Sequence, residues 1–169
     1  MDRDALRSLQ EPLKQRYRDE PEAALVTLSA SGTLDDEITC TVRTGRALAT
    51  AGLHPATGGD GLSLCSGDML LEALVACAGV TLRAVATALE VPVAAGTITA
   101  EGVLDFRGTL AVDRDAPVGF RSIALRFDID APDADAEQLA TLQRLTERFC
   151  VVLRTLAGTP ALSTTLVAA

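Results

Sequence analysis

The clearest pattern in the chain is the run from Leu70 to Glu90, where apolar residues cover nearly every side of a helix. The run is about long enough to cross a bilayer, but Glu72 and Arg83 lie inside it and helical patterning continues elsewhere. A buried core helix is therefore the better interpretation. Ser66 is its predicted N-cap and Pro92 its end. A helix that is apolar all round must be covered, either by its own sheet or by another subunit.

Alternating apolar and polar residues predict several strands. Residues 23–30 and 37–44 alternate on either side of a turn sequence, which is typical of an antiparallel hairpin. Further strands are predicted at 97–110 and 121–130, and a last one at 162–168. The strand at 121–130 has the most regular alternation, and it places four apolar residues on one face: Ile123, Leu125, Phe127 and Ile129.

Two further helices flank these strands. Residues 4–18 form a polar helix, and Pro12 marks the point where its main part is expected to start. A long helix is predicted from Asp133–Asp135 to Gly158, whereas residues 51–63 have the composition of a loop. Short turns and segregated helices favour an α+β fold, with antiparallel sheets around the central helix. We expect one domain over residues 1–169, with residues 1–20 as an N-terminal helical extension.

Composition and charge make some classes of binding partner unfavourable. The chain has 169 residues, a net charge of −8 and only 3% aromatic residues. An acidic surface disfavours nucleic acid or an anionic membrane as a partner, and the shortage of aromatic residues removes the usual platform for stacking bases. The N-terminal residues have no apolar stretch of signal-peptide length, so the expected location is the cytoplasm.

Four cysteines are the candidates for chemistry: Cys40, Cys65, Cys77 and Cys150. Their spacing fits neither a zinc site nor a secreted disulfide scaffold, so neither metal nor cofactor is expected. Cys77 lies deep in the apolar helix, where burial raises the pKa of a thiol. It is therefore either a small core residue or a nucleophile that a cation from elsewhere keeps ionised. Cys65, at a helix start, is the alternative nucleophile.

Two segments together resemble the signature of the OsmC/Ohr family. The first is the loop ending in GGDG followed by SGDMLLEALVACAGVTL, which carries Cys77; the second is RFCVVLRTL, which carries Cys150. The order of elements and the separation of the two cysteines also suit this family, so the resemblance extends over essentially the whole chain.

The resemblance implies an OsmC-like fold, an intertwined homodimer and a thiol-dependent peroxidase that reduces organic hydroperoxides. On this basis Cys77 would attack the peroxide and become a sulfenic acid, and Cys150 would condense with it to a disulfide. An external dithiol would then reduce the disulfide.

The family also has a glutamate ten residues before the first cysteine, which holds an arginine beside the thiolate. Here Gly67 occupies that position and Asp68 is the nearest carboxylate, while the arginine could be Arg43 or Arg46, or be replaced by His54. In the second motif the family has a proline after the cysteine, and this chain has Val151.

These departures leave alternatives open. The chain could be a non-enzymatic OsmC-like dimer that binds a small apolar ligand, or Cys65 could carry other thiol chemistry.

Overall fold

The computed structural model describes residues 3–34, 40–42, 52–59, 61 and 65–167. Four antiparallel strands form one sheet in the order β2-β1-β3-β4. They are β1 (Leu25–Leu34), β2 (Cys40–Val42), β3 (Ala95–Asp105) and β4 (Phe120–Asp130). Together with the helices, this sheet confirms the predicted α+β class.

The predicted hairpin is present as β1 and β2. Their register pairs Gly32 with Val42 and Leu34 with Cys40, so β1 runs through residues that the sequence assigned to the turn. In β4 the predicted alternation is confirmed, because the four apolar residues of residues 121–130 are partly buried while their neighbours are exposed. That face of the sheet therefore lies against the helices.

Within the described ranges, five α-helices accompany the sheet: α1 (Arg3–Asp19), α2 (Ser66–Ala88), α3 (Phe106–Thr109), α4 (Ala136–Phe149) and α5 (Val151–Ala157). The core forms around α2, whose buried residues recur at helical spacing: Leu71, Leu74, Val75, Ala78, Leu82 and Ala86. This helix is long and apolar enough to cross a membrane by length and composition alone. Its apolar face instead packs against strands of the sheet and against α4 and α5.

The covering of α2 is incomplete. Met69, Leu70 and Val80 remain 37–39% exposed on a helix that is otherwise the centre of the core. Two details of the predicted helix also need correction. Its N-cap is Cys65, since Ser66 is already helical, and it ends at Ala88, before Pro92.

The N-terminal helix differs from its prediction. The main part does not begin at Pro12, because α1 is continuous from Arg3 to Asp19. A proline removes one main-chain donor, and this loss does not end the helix here. Tyr17 fixes α1 to the loop before α2: its hydroxyl donates to the carbonyl of Ala56 at 2.7 Å, and its ring packs with Phe106 and Leu110.

The long helix predicted from residues 133–135 to 158 is in fact two helices. It starts as expected, with a capping box between Asp135 and Gln138. Cys150 then interrupts it with an extended backbone (φ −68°, ψ 106°), so α4 ends at Phe149 and α5 begins at Val151. The break turns the first N–H groups of α5 toward side chains instead of a preceding helical turn.

The strands at 97–110 and 162–168 also require correction. After Asp105 the chain forms the short helix α3, because the Asp105 side chain accepts a hydrogen bond from the N–H of Arg107. Residues 159–167 have no regular secondary structure. Leu162 and Leu166 are 88% and 96% exposed, and no described strand pairs with this segment.

Candidate active site

The structure brings Cys77 and Cys150 together. Cys77 lies in the middle of α2, and Cys150 lies at the break between α4 and α5. Their side chains are neighbours, since the thiol of each shifts the pKa of the other, and both cysteines are free thiols. The core helix and the interrupted helix therefore meet at a dithiol.

The side chain of Cys150 caps the start of α5. The N–H of Leu153 donates to the sulfur of Cys150 at 3.5 Å. In a regular helix the first N–H groups have no main-chain acceptor. The break at Cys150 thus places a thiol where it accepts one of these N–H groups, and the main chain of Val151 and Val152 is near enough to Cys77 to lower the pKa of its thiol.

Thr81 lies beside the Cys77 thiol. It follows Cys77 by four residues on α2, and its side chain helps to lower the pKa of that thiol. Residues four apart lie on the same face of a helix, so the two side chains are neighbours.

The environment separates the pKa values of the two thiols. Burial raises the pKa of Cys77, but hydrogen bonds from Val152, Cys150, Thr81 and Val151 outweigh it and bring the pKa below its ordinary value. In contrast, the pKa of Cys150 is raised to about 11, first by burial and further by the neighbouring Cys77. Cys77 is therefore the first of the pair to ionise.

An apolar groove of about 570 Å³ lies between β4 and α5. One wall is β4, with Phe120, Ile123 and Leu125, and the opposite wall is α5, with Leu153 and Leu156. The N–H of Leu153 donates to the sulfur of Cys150. The groove is thus connected to Cys150 through the first turn of α5.

Asp68 and His54 lie near each other at the start of α2, away from the thiols. His54 stacks on Phe106 with ring centroids 5.0 Å apart, and its Nδ1 accepts the N–H of Ala56 at 3.0 Å. Burial lowers the pKa of His54 and raises that of Asp68, and in each case the charge of the other residue partly offsets this shift.

Glu72 follows Asp68 by one helical turn. Its pKa is raised by burial first and then by the charge of Asp68. Neither His54, Asp68 nor Glu72 is among the groups that shift the pKa of Cys77.

The sequence also made Arg43, Arg46 and Cys65 candidates for the site. Arg43 and Arg46 lie outside the described residues. Cys65 is the N-cap of α2, partly buried against the core and without a hydrogen bond from its side chain to the helix. Across the described ranges, no group of three or more His, Cys, Asp or Glu side chains could hold a metal ion.

Sequence reasoning missed Thr81, and it treated Val151 only as a missing proline. A threonine four residues after a cysteine on a predicted helix could have identified the first. The role of Val151 depends on the break in the helix, for which the sequence carries no proline or glycine signal.

The fold that carries these two thiols agrees with comparisons to known proteins. The family model of OsmC-like proteins matches residues 58–165, so the chain belongs to the OsmC-like family. No curated protein matches the chain.

Two solved structures share the fold. One is an OsmC-like hydroperoxide resistance protein from Jannaschia sp. CCS1, with a TM-score of 0.63, 18% identity, and coverage of 86% of this chain and 95% of that one. The other is an OsmC-like protein from Mycoplasma pneumoniae, with a TM-score of 0.55, 18% identity, and coverage of 80% and 86%.

Proposed function

We propose that the protein is a thiol-dependent peroxidase that reduces organic hydroperoxides, with Cys77 as the nucleophile and Cys150 as the resolving residue. The observation that carries the proposal is the contact between the two thiols, in which the pKa of Cys77 is lowered and that of Cys150 is raised to about 11. Only the thiolate is a good nucleophile, so this difference in pKa supports Cys77 as the nucleophile and Cys150 as the resolving residue.

The reaction has two steps. The Cys77 thiolate attacks the distal oxygen of the hydroperoxide, the O–O bond breaks, and the alkoxide takes a proton and leaves as the alcohol. Cys77 is thereby oxidised to a sulfenic acid. The Cys150 sulfur then attacks the Cys77 sulfur, a disulfide forms, and the hydroxyl of the sulfenic acid leaves as water with the Cys150 proton. The two side chains are already in contact, so this step needs no large movement.

An external dithiol closes the cycle: it reduces the disulfide and becomes a disulfide itself. A reducing compartment such as the cytoplasm suits this cycle and the three free cysteines described.

A homodimer is part of the proposal. It would cover the large apolar side chains that α2 leaves exposed, including Met69 and Val80.

The groove supports an organic substrate. Its walls are mainly apolar, so an alkyl chain would be bound there more favourably than the water-like hydrogen peroxide. We therefore expect a bulky hydroperoxide to react faster than hydrogen peroxide.

The proposal also includes three residues for which the family resemblance is the sole support: Arg43, Arg46 and Asp68. One of the arginines would hold the thiolate, and Asp68 would hold the arginine. Separate Arg43→Ala and Arg46→Ala variants would show which of the two affects the rate.

The test is to add cumene hydroperoxide to the reduced protein and measure its intact mass. The proposal expects the loss of two hydrogen atoms, and Cys150→Ser should abolish this loss and instead accumulate a Cys77 sulfenic acid that dimedone traps. Cys65→Ser is the matched control and should still lose two hydrogens. Oxidation of the unchanged protein no greater than that of Cys77→Ser would refute the proposal.

A second candidate function is non-enzymatic binding of a small apolar ligand, which the groove alone favours. This function predicts that an alkyl compound without a peroxide group binds in the groove. It also predicts that the thiols remain reduced when cumene hydroperoxide is added. Oxidation of the pair at a rate that the hydroperoxide concentration controls would exclude this candidate.

A further inference from the structure

A buried charge in α2 has no counter-charge within the described part of the chain. Arg83 is only 9% exposed, and its guanidinium donates to the carbonyl of Val93 at 2.6 Å. Its Nε is buried without an acceptor, and none of the ion pairs among the described residues includes Arg83. A buried charge without a partner is costly, so this guanidinium requires a carboxylate from elsewhere.

One side of α2 is left open by the rest of the described chain. Met69 and Val80 on this side are each 39% exposed. Its residues are exposed or half-buried and recur every three or four positions, which is the spacing of a helix that packs along another helix. They form the open face of α2: Met69, Ala73, Ala76, Val80, Ala84 and Thr87. The three alanines allow a second helix to come close.

Glu72 and Arg83 lie on the same flank of the open face. They are eleven residues apart, which is about three turns and about 16 Å of helix, so they are too distant to pair within one chain. Glu72 is half-buried, and it too belongs to none of the ion pairs among the described residues. Its pKa is raised by burial first and then by the charge of Asp68, so a nearby cation would favour its ionised form.

We propose that the open faces of two copies of the chain pack antiparallel, and that Arg83 of each copy forms an ion pair with Glu72 of the partner subunit. The inference rests on the homodimer of the proposed function, and it adds the helix orientation and the charges that fix it. Each dimer contains two such pairs, because a two-fold axis repeats every contact.

The positions of the two residues favour the antiparallel orientation. Ala76 and Val80 lie symmetrically about residue 78, and Glu72 and Arg83 lie about the same centre to within one residue. A two-fold axis perpendicular to the pair of helices reverses their direction but keeps each flank on its own side. It therefore brings Arg83 opposite the partner subunit's Glu72.

A parallel pair would place each flank against the opposite flank of the other helix. That flank carries no charge over the length of the open face, since its residues are Leu70, Cys77 and Thr81. Both Glu72 and Arg83 would then stay unpaired, so the charges select the antiparallel pair.

The test is to reverse each charge and then both together. The measurement is the rate of subunit exchange between isotope-labelled and unlabelled full-length protein, followed by native mass spectrometry. Glu72→Arg and Arg83→Glu each place like charges together at both ends of the interface, so each should raise the exchange rate at least about tenfold. The double variant restores opposite charges and should exchange within about threefold of the unchanged protein.

Glu90→Arg is the matched control. Glu90 lies on the same flank but beyond Leu89, the C-cap of α2, so this reversal should leave the exchange rate unchanged. Circular dichroism checks that each variant is folded.

An exchange rate that Glu72→Arg does not raise, or that the folded double variant does not restore, would overturn the inference. If Arg83→Glu does not fold, Glu72→Arg alone decides, because it leaves the hydrogen bond between Arg83 and Val93 in place. An unchanged protein that stays monomeric would overturn both the inference and the homodimer. Shifted exchange rates without reduction of cumene hydroperoxide would refute the peroxidase activity alone, whereas peroxide reduction by a dimer that the reversals do not affect would refute the inference alone.

Discussion

The ring of Phe120, a residue that pairs with Leu104 across β3 and β4, lies over Gly102 of β3, so that a Cβ atom added to Gly102 would clash with Cε1 of this ring. The two strands are irregular at this point, with a register shift between Val103 and Leu104. Because Phe120 also lines the apolar groove between β4 and α5, the absence of a side chain at residue 102 sets the position of one wall of that groove.

We predict that Gly102→Ala lowers the free energy of unfolding by about 1–3 kcal/mol, the usual cost of overpacking a buried position. It should also displace the Phe120 ring and so weaken binding of apolar compounds in the groove. Urea unfolding and titration with an environment-sensitive apolar dye measure the two effects. Gly119→Ala is the control, because nothing lies within 4 Å of a Cβ at that residue. Equal stability of the two variants would contradict the prediction.

Much of the fold could be predicted from local patterns. The alternation of β4 and the apolar run of α2 were enough to predict a strand and a buried helix. Each pattern fixes which residues must be buried, whatever the rest of the chain does. The antiparallel hairpin followed from the turn composition between two alternating segments. The strand predicted at 162–168 was wrong because alternation alone does not form a strand. Residues 162–167 alternate but pair with none of the described strands.

The site could be predicted only in part. The family resemblance identified Cys77 and Cys150 as a candidate redox pair, and in the structure the two side chains are neighbours. The break at Cys150 was missed because the helical pattern continues through it without proline or glycine. The side chain of Cys150 caps α5 by accepting the N–H of Leu153, and Cys77 of α2 packs beside this turn. A pattern along the sequence does not contain such an interaction.

The alkaline pKa of Cys150 should persist without its partner. Burial is the first cause of its rise to about 11 and Cys77 contributes less, so in Cys77→Ser the pKa of Cys150 should remain above the ordinary value for a thiol. The rate of Cys150 alkylation against pH measures this. Cys150→Ser is the complementary variant, in which Cys77 should still alkylate at lower pH. A Cys150 midpoint that falls to the ordinary value would show that coupling, and not burial, controls this thiol.

Glu90 stores strain at the end of α2. It has a φ of 54°, in the left-handed region, directly after the C-cap Leu89, and the next N–H, that of Val91, bonds back to the carbonyl of Ala86 at 2.9 Å. Glycine is preferred at this position because it has no Cβ. Glu90→Gly should therefore raise the free energy of unfolding by about 1 kcal/mol. Glu90→Ala removes the charge but keeps the strain, and should give no such gain in urea unfolding.

The ion pair of Asp105 should make the stability of the fold depend on pH in the acid range. Its buried carboxylate accepts hydrogen bonds from the guanidinium of Arg107, the closer at 2.6 Å, and from the N–H of the same residue. The bond to the Arg107 side chain is the main reason why the pKa of Asp105 lies below its ordinary value. A carboxyl group with a lowered pKa stabilises the folded state above its unfolded pKa, and this contribution is lost as the pH falls through the folded value.

Asp105→Asn should accordingly lower the free energy of unfolding by about 1–2 kcal/mol at neutral pH. The difference from the unchanged protein should narrow as the pH falls below about 4, where the carboxyl group of the unfolded chain is already protonated. Urea unfolding at a series of pH values measures both. Asp113→Asn is the control: this carboxylate also meets Arg107, at 3.3 Å, but is 37% exposed and should contribute little. A difference that stays constant into acid would show that Asp105 acts through packing and not through its charge.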